Sequence, residues 1–276
     1  MRDDVRGTDE PDEPDAPREA AGIAVGAADF GLRGPRGWAF RGVGFQAEPG
    51  SLVVIQGPSG SGRTCLLLAL TGRMKAGEGH AAVGPHRLPG GMSAVRRISA
   101  LAHVPGVHEL DPALTVGEHL RERALLERRF GGSVRGSLRE LVRPRAERAA
   151  DAKARIDDAL SAAGLDLTAL PKGARTAVRD LERMQALRLS VALALIGRPR
   201  LLGVDDTDLK LSDAERAEAW ALLRSVAETG TTVVAVCSEA PEGAVVVSTR
   251  QNDSNDSTAR NDDEGTADAL AEAGHA

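Results

Sequence analysis

The sequence has no tyrosine, and its aromatic residues are four phenylalanines and two tryptophans among 276 residues. A core must therefore be packed from Leu, Val, Ala and Ile, and an aromatic stacking platform for single-stranded nucleic acid or sugars is not expected. Lysine is scarce too, 4 residues against 31 arginines, which reads as a GC-rich coding bias rather than chemistry. The two cysteines, Cys65 and Cys237, are far apart and lack CxxC spacing, so neither a disulfide framework nor a thiolate zinc site is indicated. No apolar run approaches the ~18 residues of a membrane span. The first residues are acidic and contain proline, where a secretory signal would show a basic stretch and then an apolar one. These absences lead us to expect a soluble, cytoplasmic chain.

What is present suffices for a sizeable core, since 42% of the residues are apolar and 27% charged. The net charge of −5 is unevenly spread. Residues 1–19 hold eight acids against Arg2, Arg6 and Arg18, and residues 249–276 hold seven against Arg250 and Arg260, a net of −5 at each end. The body between them is left at +5. Both ends are poor in large apolar groups, the composition of solvated tails. The expected organisation is a disordered acidic tail over 1–19, one domain over 20–248 and a second disordered acidic tail over 249–276.

Within the body, short apolar runs alternate with helical patterns. Strands are expected at Val43–Gln46, Leu52–Gln56, Ile98–Val104, Leu201–Asp205, Thr231–Ser238 and Ala244–Ser248. Helices are expected at Thr64–Gly72, at Leu114–Arg129 with Thr115 as cap, at Ser137–Ala163 with a break near Pro144, at Leu181–Ile196 and at Asp213–Thr229. The helix-only block between the two strand-bearing ends implies a parallel α/β core with an inserted helical subdomain over about 107–197.

The sharpest signal is GPSGSGRT at 57–64, between the LVVIQ run and an apolar helix. It follows the phosphate-loop pattern GxxxxGK[ST], with Arg63 where lysine is expected. Gly57, Gly60 and Gly62 permit a tight turn that presents successive N–H groups to an anion. Ser59, Ser61, Arg63 and Cys65 contribute further backbone or side-chain donors, and the helix N-terminus adds its positive dipole. Thr64 can offer a hydroxyl to a magnesium ion bridging the phosphates. Such a loop needs a carboxylate at the end of another strand. RPRLLGVDDTD at 198–208 supplies Asp205 for the metal and Asp206 where a water-activating base belongs. Together these point to binding of a nucleoside triphosphate with Mg2+.

The layout resembles the ATP-binding subunit of ATP-binding cassette (ABC) transporters over about residues 22–248. The resemblance rests on FRGVGFQAEPGSLVVIQGPSGSGRT at 40–64, ELDPALTVGEHL at 109–120, LSVALALIGRPRLLGVDD at 189–206 and DAERAEAWALLRSVAETGTTVVAV at 213–236. It implies a P-loop NTPase fold of the ABC nucleotide-binding type and ATP hydrolysis driving or regulating an integral-membrane permease. It also implies a homo- or heterodimer of nucleotide-binding domains, at the inner face of the cell membrane. Nucleic-acid partners, as in ABC-type repair ATPases, are not expected, because a coiled-coil insertion is lacking and the tails are acidic.

Several positions depart from that family's pattern. Its LSGGQ signature falls on LERMQ at 181–185, with Glu182 in the serine position and Arg183 and Met184 replacing glycines. Gly106 falls where a glutamine is expected, Ser238 where the switch histidine is expected, and Asp206 replaces glutamate. Arg63 keeps its positive charge, but its planar fork cannot occupy the point an ammonium takes. The departures imply a degenerate site with weak turnover, or a nucleotide-binding regulatory or structural partner without significant turnover.

The block 121–155 carries eleven basic residues against five acids and reads as a solvated helix face. Trp38 stands where the resembled family stacks an aromatic on adenine, with simple packing as the alternative. His103 and His108 lack metal-ligand partners and read as loop residues.

Overall fold

The computed structural model describes residues 22–35, 37–130, 144–207 and 211–249. The two tails, apart from Thr249, and the segment 137–143 expected to be helical lie outside the described residues.

Two sheets share the body. A four-stranded antiparallel sheet has the order β2-β1-β4-β5, from β1 (Val25–Gly34), β2 (Gly37–Ala47), β4 (Glu78–Val83) and β5 (His86–Leu88). A five-stranded sheet has the order β6-β7-β8-β3-β9, from β3 (Leu52–Gln56), β6 (Ser99–Leu101), β7 (Leu201–Val204), β8 (Thr232–Cys237) and β9 (Val245–Ser248). Every pairing in the second sheet is parallel. The helices are α1 (Arg63–Leu70), α2 (Met92–Ile98), α3 (Val116–Phe130), α4 (Arg145–Ala162), α5 (Arg183–Leu195) and α6 (Asp213–Glu228). Between β6 and β7 the described elements are helices α3, α4 and α5 and three short 3-10 turns.

The parallel strands are buried on both faces, so they read as continuous apolar runs. Their side chains nevertheless alternate between two cores. Val53, Ile55, Val234 and Val236 pack with the antiparallel sheet and with Leu66–Leu70 of α1. Leu52, Val54, Val233 and Ala235 pack with α3, α5 and α6 on the other side. The phosphate-loop helix is thus held between the two sheets. Phe30 and Phe40 anchor that layer, with ring centroids 5.7 Å apart.

The expected parallel core is present, and the antiparallel sheet is an addition that periodicity did not reveal. Strand β1 changes register between Ala27 and Phe30 and again beyond Phe30, and Asp29 takes a positive φ of 50°, so its alternation is broken. Strand β2 extends well before Val43 for the same reason, pairing with the irregular β1. The expected strand Ile98–Val104 shrinks to three residues, because Ile98 closes α2 and Val104 only bridges to His108. The other expected helices and strands are found within about two residues of their ends. Thr115 caps α3 as expected: its Oγ1 accepts from Glu118 N–H at 3.3 Å, and its N–H donates to Glu118 Oε2 at 2.7 Å.

Candidate nucleotide site

Strand β3 delivers the chain to Gly57 at the C-terminal edge of the parallel sheet, the edge at which open α/β sheets bind ligands. The loop then turns through Gly60 at φ 81° and Gly62 at φ 79°. At Gly62 glycine is required twice over, since a Cβ would meet the Ala39 carbonyl oxygen at 1.9 Å. At Gly57 a Cβ would run into the hydroxyls of Thr249 and Ser61. Those two hydroxyls are 2.6 Å apart and bonded to each other, which ties the loop to the end of β9. Ser61 N–H also donates to the Pro58 carbonyl at 3.2 Å. Ser59 and Gly60 at the loop's tip are exposed. Helix α1 follows with no side-chain cap and no acid in its first turn, leaving its dipole uncompensated at the loop.

Thr64 and Asp205 come together here from 141 positions apart. Thr64 Oγ1 donates to Asp205 Oδ2 at 2.6 Å, and Asp206 N–H donates to Asp205 Oδ1 at 2.9 Å. Asp205 is 2% exposed, immediately past β7, and its own N–H is held by the His103 carbonyl at 2.8 Å. Both carboxylate oxygens are therefore satisfied by neutral donors. Asp206 takes φ 49°, a left-handed conformation that Asp tolerates better than most residues. The next residue, Thr207, is 1% exposed and anchored through its hydroxyl to the Val236 carbonyl at 2.8 Å, which fixes the Asp-Asp turn against β8.

Arg63 does not extend freely over the loop. Its Nη1 donates to the Cys237 carbonyl at 2.5 Å, at the last residue of β8 and next to Ser238. The neighbouring Gln56 Nε2 donates to the Ser238 carbonyl at 3.2 Å. Cys65 is half-buried rather than enclosed, because it follows the loop on the first turn of α1. Burial first, and then the nearby Asp205 carboxylate, push its thiol pKa up, so it stays protonated and inert. The structure thus brings residues 57–65, Asp205, Asp206 and Ser238 to one end of the parallel sheet. Sequence reasoning missed Gln56 and Thr249. Thr249 falls within the expected tail, yet it is 5% exposed and its N–H donates to the Gln56 carbonyl at 3.0 Å.

Trp38 is half-buried, with the Arg41 guanidinium 4.6 Å and the Arg33 guanidinium 5.7 Å from its ring centroid. His108 bonds through Nδ1 to the Ala102 carbonyl at 2.5 Å, and burial pushes its pKa down. Glu182 is the N-cap residue of α5, with its N–H donating to Gln185 Oε1 at 3.1 Å. A carboxylate therefore sits at the N-terminus of that helix. Among the described residues no cluster of three or more His, Cys, Asp or Glu side chains could hold a metal. Magnesium needs less than that from the protein: one or two hard oxygen donors, with water and phosphate supplying the rest. The Thr64 hydroxyl and the Asp205 carboxylate fit it.

Comparison with known proteins agrees with this geometry. A family profile described as "ABC transporter" matches residues 40–208. The chain is 32% identical over 185 residues to the Fe(3+) ions import ATP-binding protein FbpC of Streptomyces avermitilis, covering 67% of this chain and 46% of that protein. It is 30% identical over 189 residues to ABC transporter G family member 49 of Oryza sativa subsp. japonica, covering 68% of this chain and 12% of that protein. The chain therefore spans less than half of either relative. A dimeric ATP-binding cassette solved in a post-hydrolysis state with ADP and Pi superposes with a TM-score of 0.58 at 22% identity, over 78% of this chain and 88% of that one. With the loop, the Asp-Asp turn and the two-sheet core in the arrangement described, the chain belongs to the ABC transporter family and has the fold of its ATP-binding cassette.

Proposed function

We propose that this chain is the ATP-binding subunit of an ABC transporter, binding ATP with Mg2+ at residues 57–65 and hydrolysing it slowly. The Thr64–Asp205 contact at 2.6 Å carries the reading, because it places a hydroxyl and a buried carboxylate beside an anion-binding loop. The N–H groups of 59–64 cradle the phosphates, and Arg63 contributes a permanent positive charge. Magnesium held by Thr64 and Asp205 would neutralise charge on the phosphates. Asp206, next in the chain, is the carboxylate available to orient water and take its proton. By analogy with the family, the subunit pairs with a second nucleotide-binding domain and docks on a membrane permease from the cytoplasmic side. No described helix is long and apolar enough to cross a membrane, which fits a peripheral subunit.

Slow turnover is part of the proposal. Arg63 is tied to the Cys237 carbonyl, Ser238 offers no imidazole, Gly106 offers no side chain, and Glu182 places negative charge where the family has a serine.

Calorimetric titration with ATP, with and without Mg2+, tests the site. Thr64→Val is expected to weaken Mg-ATP binding at least tenfold while leaving metal-free binding within a factor of about two, since each tenfold step is about 1.4 kcal/mol. Unchanged Mg-ATP affinity in Thr64→Val would overturn the assignment.

A further inference from the structure

The phosphate loop has little of its own to hold it in shape. Ser61, at its crown, lies between Gly60 and Gly62, both at positive φ, and glycine has the most backbone freedom to lose. The turn's own backbone bond, from Ser61 N–H to the Pro58 carbonyl, is 3.2 Å, at the long end of the normal range.

A shorter tether reaches the loop from 188 positions away, where Thr249 Oγ1 lies 2.6 Å from Ser61 Oγ. Thr249 is 5% exposed, and its N–H donates to the Gln56 carbonyl at 3.0 Å, so the end of β3 fixes its backbone. Its Oγ1 also lies 3.4 Å from that carbonyl. One arrangement of protons satisfies the group: Ser61 donates to Thr249, and Thr249 donates to Gln56. The β-branch of threonine stiffens χ1 and so keeps the hydroxyl in one direction. Gly57 completes the fit, since a Cβ there would come within 2.3 Å of Thr249 Oγ1 and 2.6 Å of Ser61 Oγ.

We propose that Thr249 is a positioning residue for the nucleotide site, acting through Ser61 rather than by contact with ATP. Its hydroxyl holds residues 59–62 in the turn that converges their N–H groups on the phosphates. A loop fixed in advance gives up less conformational freedom when it closes on its ligand. The bonds of Thr249 run to Ser61 and Gln56, not to Thr64 or Asp205, so its effect is independent of magnesium. This role rests on ATP binding at residues 57–65.

Calorimetric titration of the full chain with ATP, in magnesium and in EDTA, is the test. Thr249→Val keeps the shape and removes the hydroxyl. It is expected to weaken binding about fivefold in both conditions, the worth of one neutral hydrogen bond. Thr249→Ser keeps the hydroxyl and is expected to bind within about twofold of the wild type. Ser61→Ala should reproduce the Thr249→Val loss, and the double variant should be no weaker than either single one, as for the two ends of one bond. A merely structural role would lower the melting temperature and leave ATP affinity in place. Unchanged affinity in Thr249→Val, a loss confined to magnesium, an equal loss in Thr249→Ser, or additive losses in the double variant each overturn the proposal. Thr64→Val separates that failure from failure of the site itself. If Thr64→Val loses Mg-ATP affinity while Thr249→Val does not, the positioning role alone falls. If neither substitution changes ATP affinity, the nucleotide is not bound at this loop and both readings fall.

Discussion

Arg63 reaches across the mouth of the phosphate loop to the Cys237 carbonyl, at 2.5 Å. The bond joins the start of α1 to the end of β8. It holds the loop's cation beside the backbone of Ser238, the position where the family's histidine is expected. A lysine would present a compact charge on a flexible stem, whereas arginine's planar fork is satisfied partly by protein here and partly by any bound phosphate. Attraction to phosphate is retained, while its placement differs.

The buried carboxylate beside it gives a direct prediction. Asp205 is 2% exposed and has both oxygens bonded to neutral donors, so an amide can replace it without leaving an uncompensated charge. Asp205→Asn is therefore expected to fold. It should lose Mg2+-dependent ATP affinity by at least tenfold, about 1.4 kcal/mol, while metal-free binding changes little. Titration calorimetry in magnesium and in EDTA checks this. Equal losses in both would assign Asp205 to loop structure rather than to the metal.

Gly62 is the loop position least able to change. A Cβ would lie 1.9 Å from the Ala39 carbonyl oxygen, and φ is 79°. Gly62→Ala is expected to destabilise the fold by at least ~1–3 kcal/mol through the left-handed backbone alone. Gly60→Ala has a similar φ of 81° but open space around it, and is expected to cost less. Urea unfolding of the two variants side by side separates conformational strain from collision with the antiparallel sheet.

The phosphate loop and Asp205 were legible in the sequence because their chemistry is local. Eight contiguous residues define the loop, and one apolar strand ends in the carboxylate. Parallel strands such as β3 and β8 were legible because burial on both faces makes them plain apolar runs. Strands β1, β4 and β5 were not, since bulges, glycines and a half-exposed face break their alternation. Gln56 and Thr249 escaped because their contacts arise only from β8 and β9 lying parallel to β3 on either side.

The capping box at the start of α6 predicts an acid-sensitive contribution to stability. Glu215 Oε2 accepts from Ser212 Oγ at 2.6 Å and from Ser212 N–H at 2.8 Å, and these bonds pull its pKa below the usual carboxylate range. A depressed carboxylate stabilises the fold above its unfolded-state pKa and loses that contribution as pH falls through the folded one. Glu215→Gln should therefore melt below wild type at pH 7 and converge with it below about pH 4. Calorimetric melting across that range is the measurement, and a pH-independent difference would point to packing instead.

Turnover is the last prediction, and four positions bear on it: Arg63, Gly106, Asp206 and Ser238. Loss of ~2.7 kcal/mol of transition-state stabilisation at any one would slow the chemical step about a hundredfold. Effects inside one site are not additive, so the total is not their product. The purified chain is expected to hydrolyse ATP slowly in a single-turnover assay. Arg63→Lys with Ser238→His should raise the rate at least tenfold, because the first substitution releases the bond to Cys237 and the second supplies an imidazole. Asp206→Glu is added separately: its backbone is left-handed at φ 49°, where glutamate is less comfortable than aspartate, so a gain from it has to exceed that strain. A partner subunit with an intact signature could raise the wild-type rate without altering this order of variants. Brisk turnover by the wild-type chain alone, with no gain from either restored variant, would show that the altered positions do not limit hydrolysis.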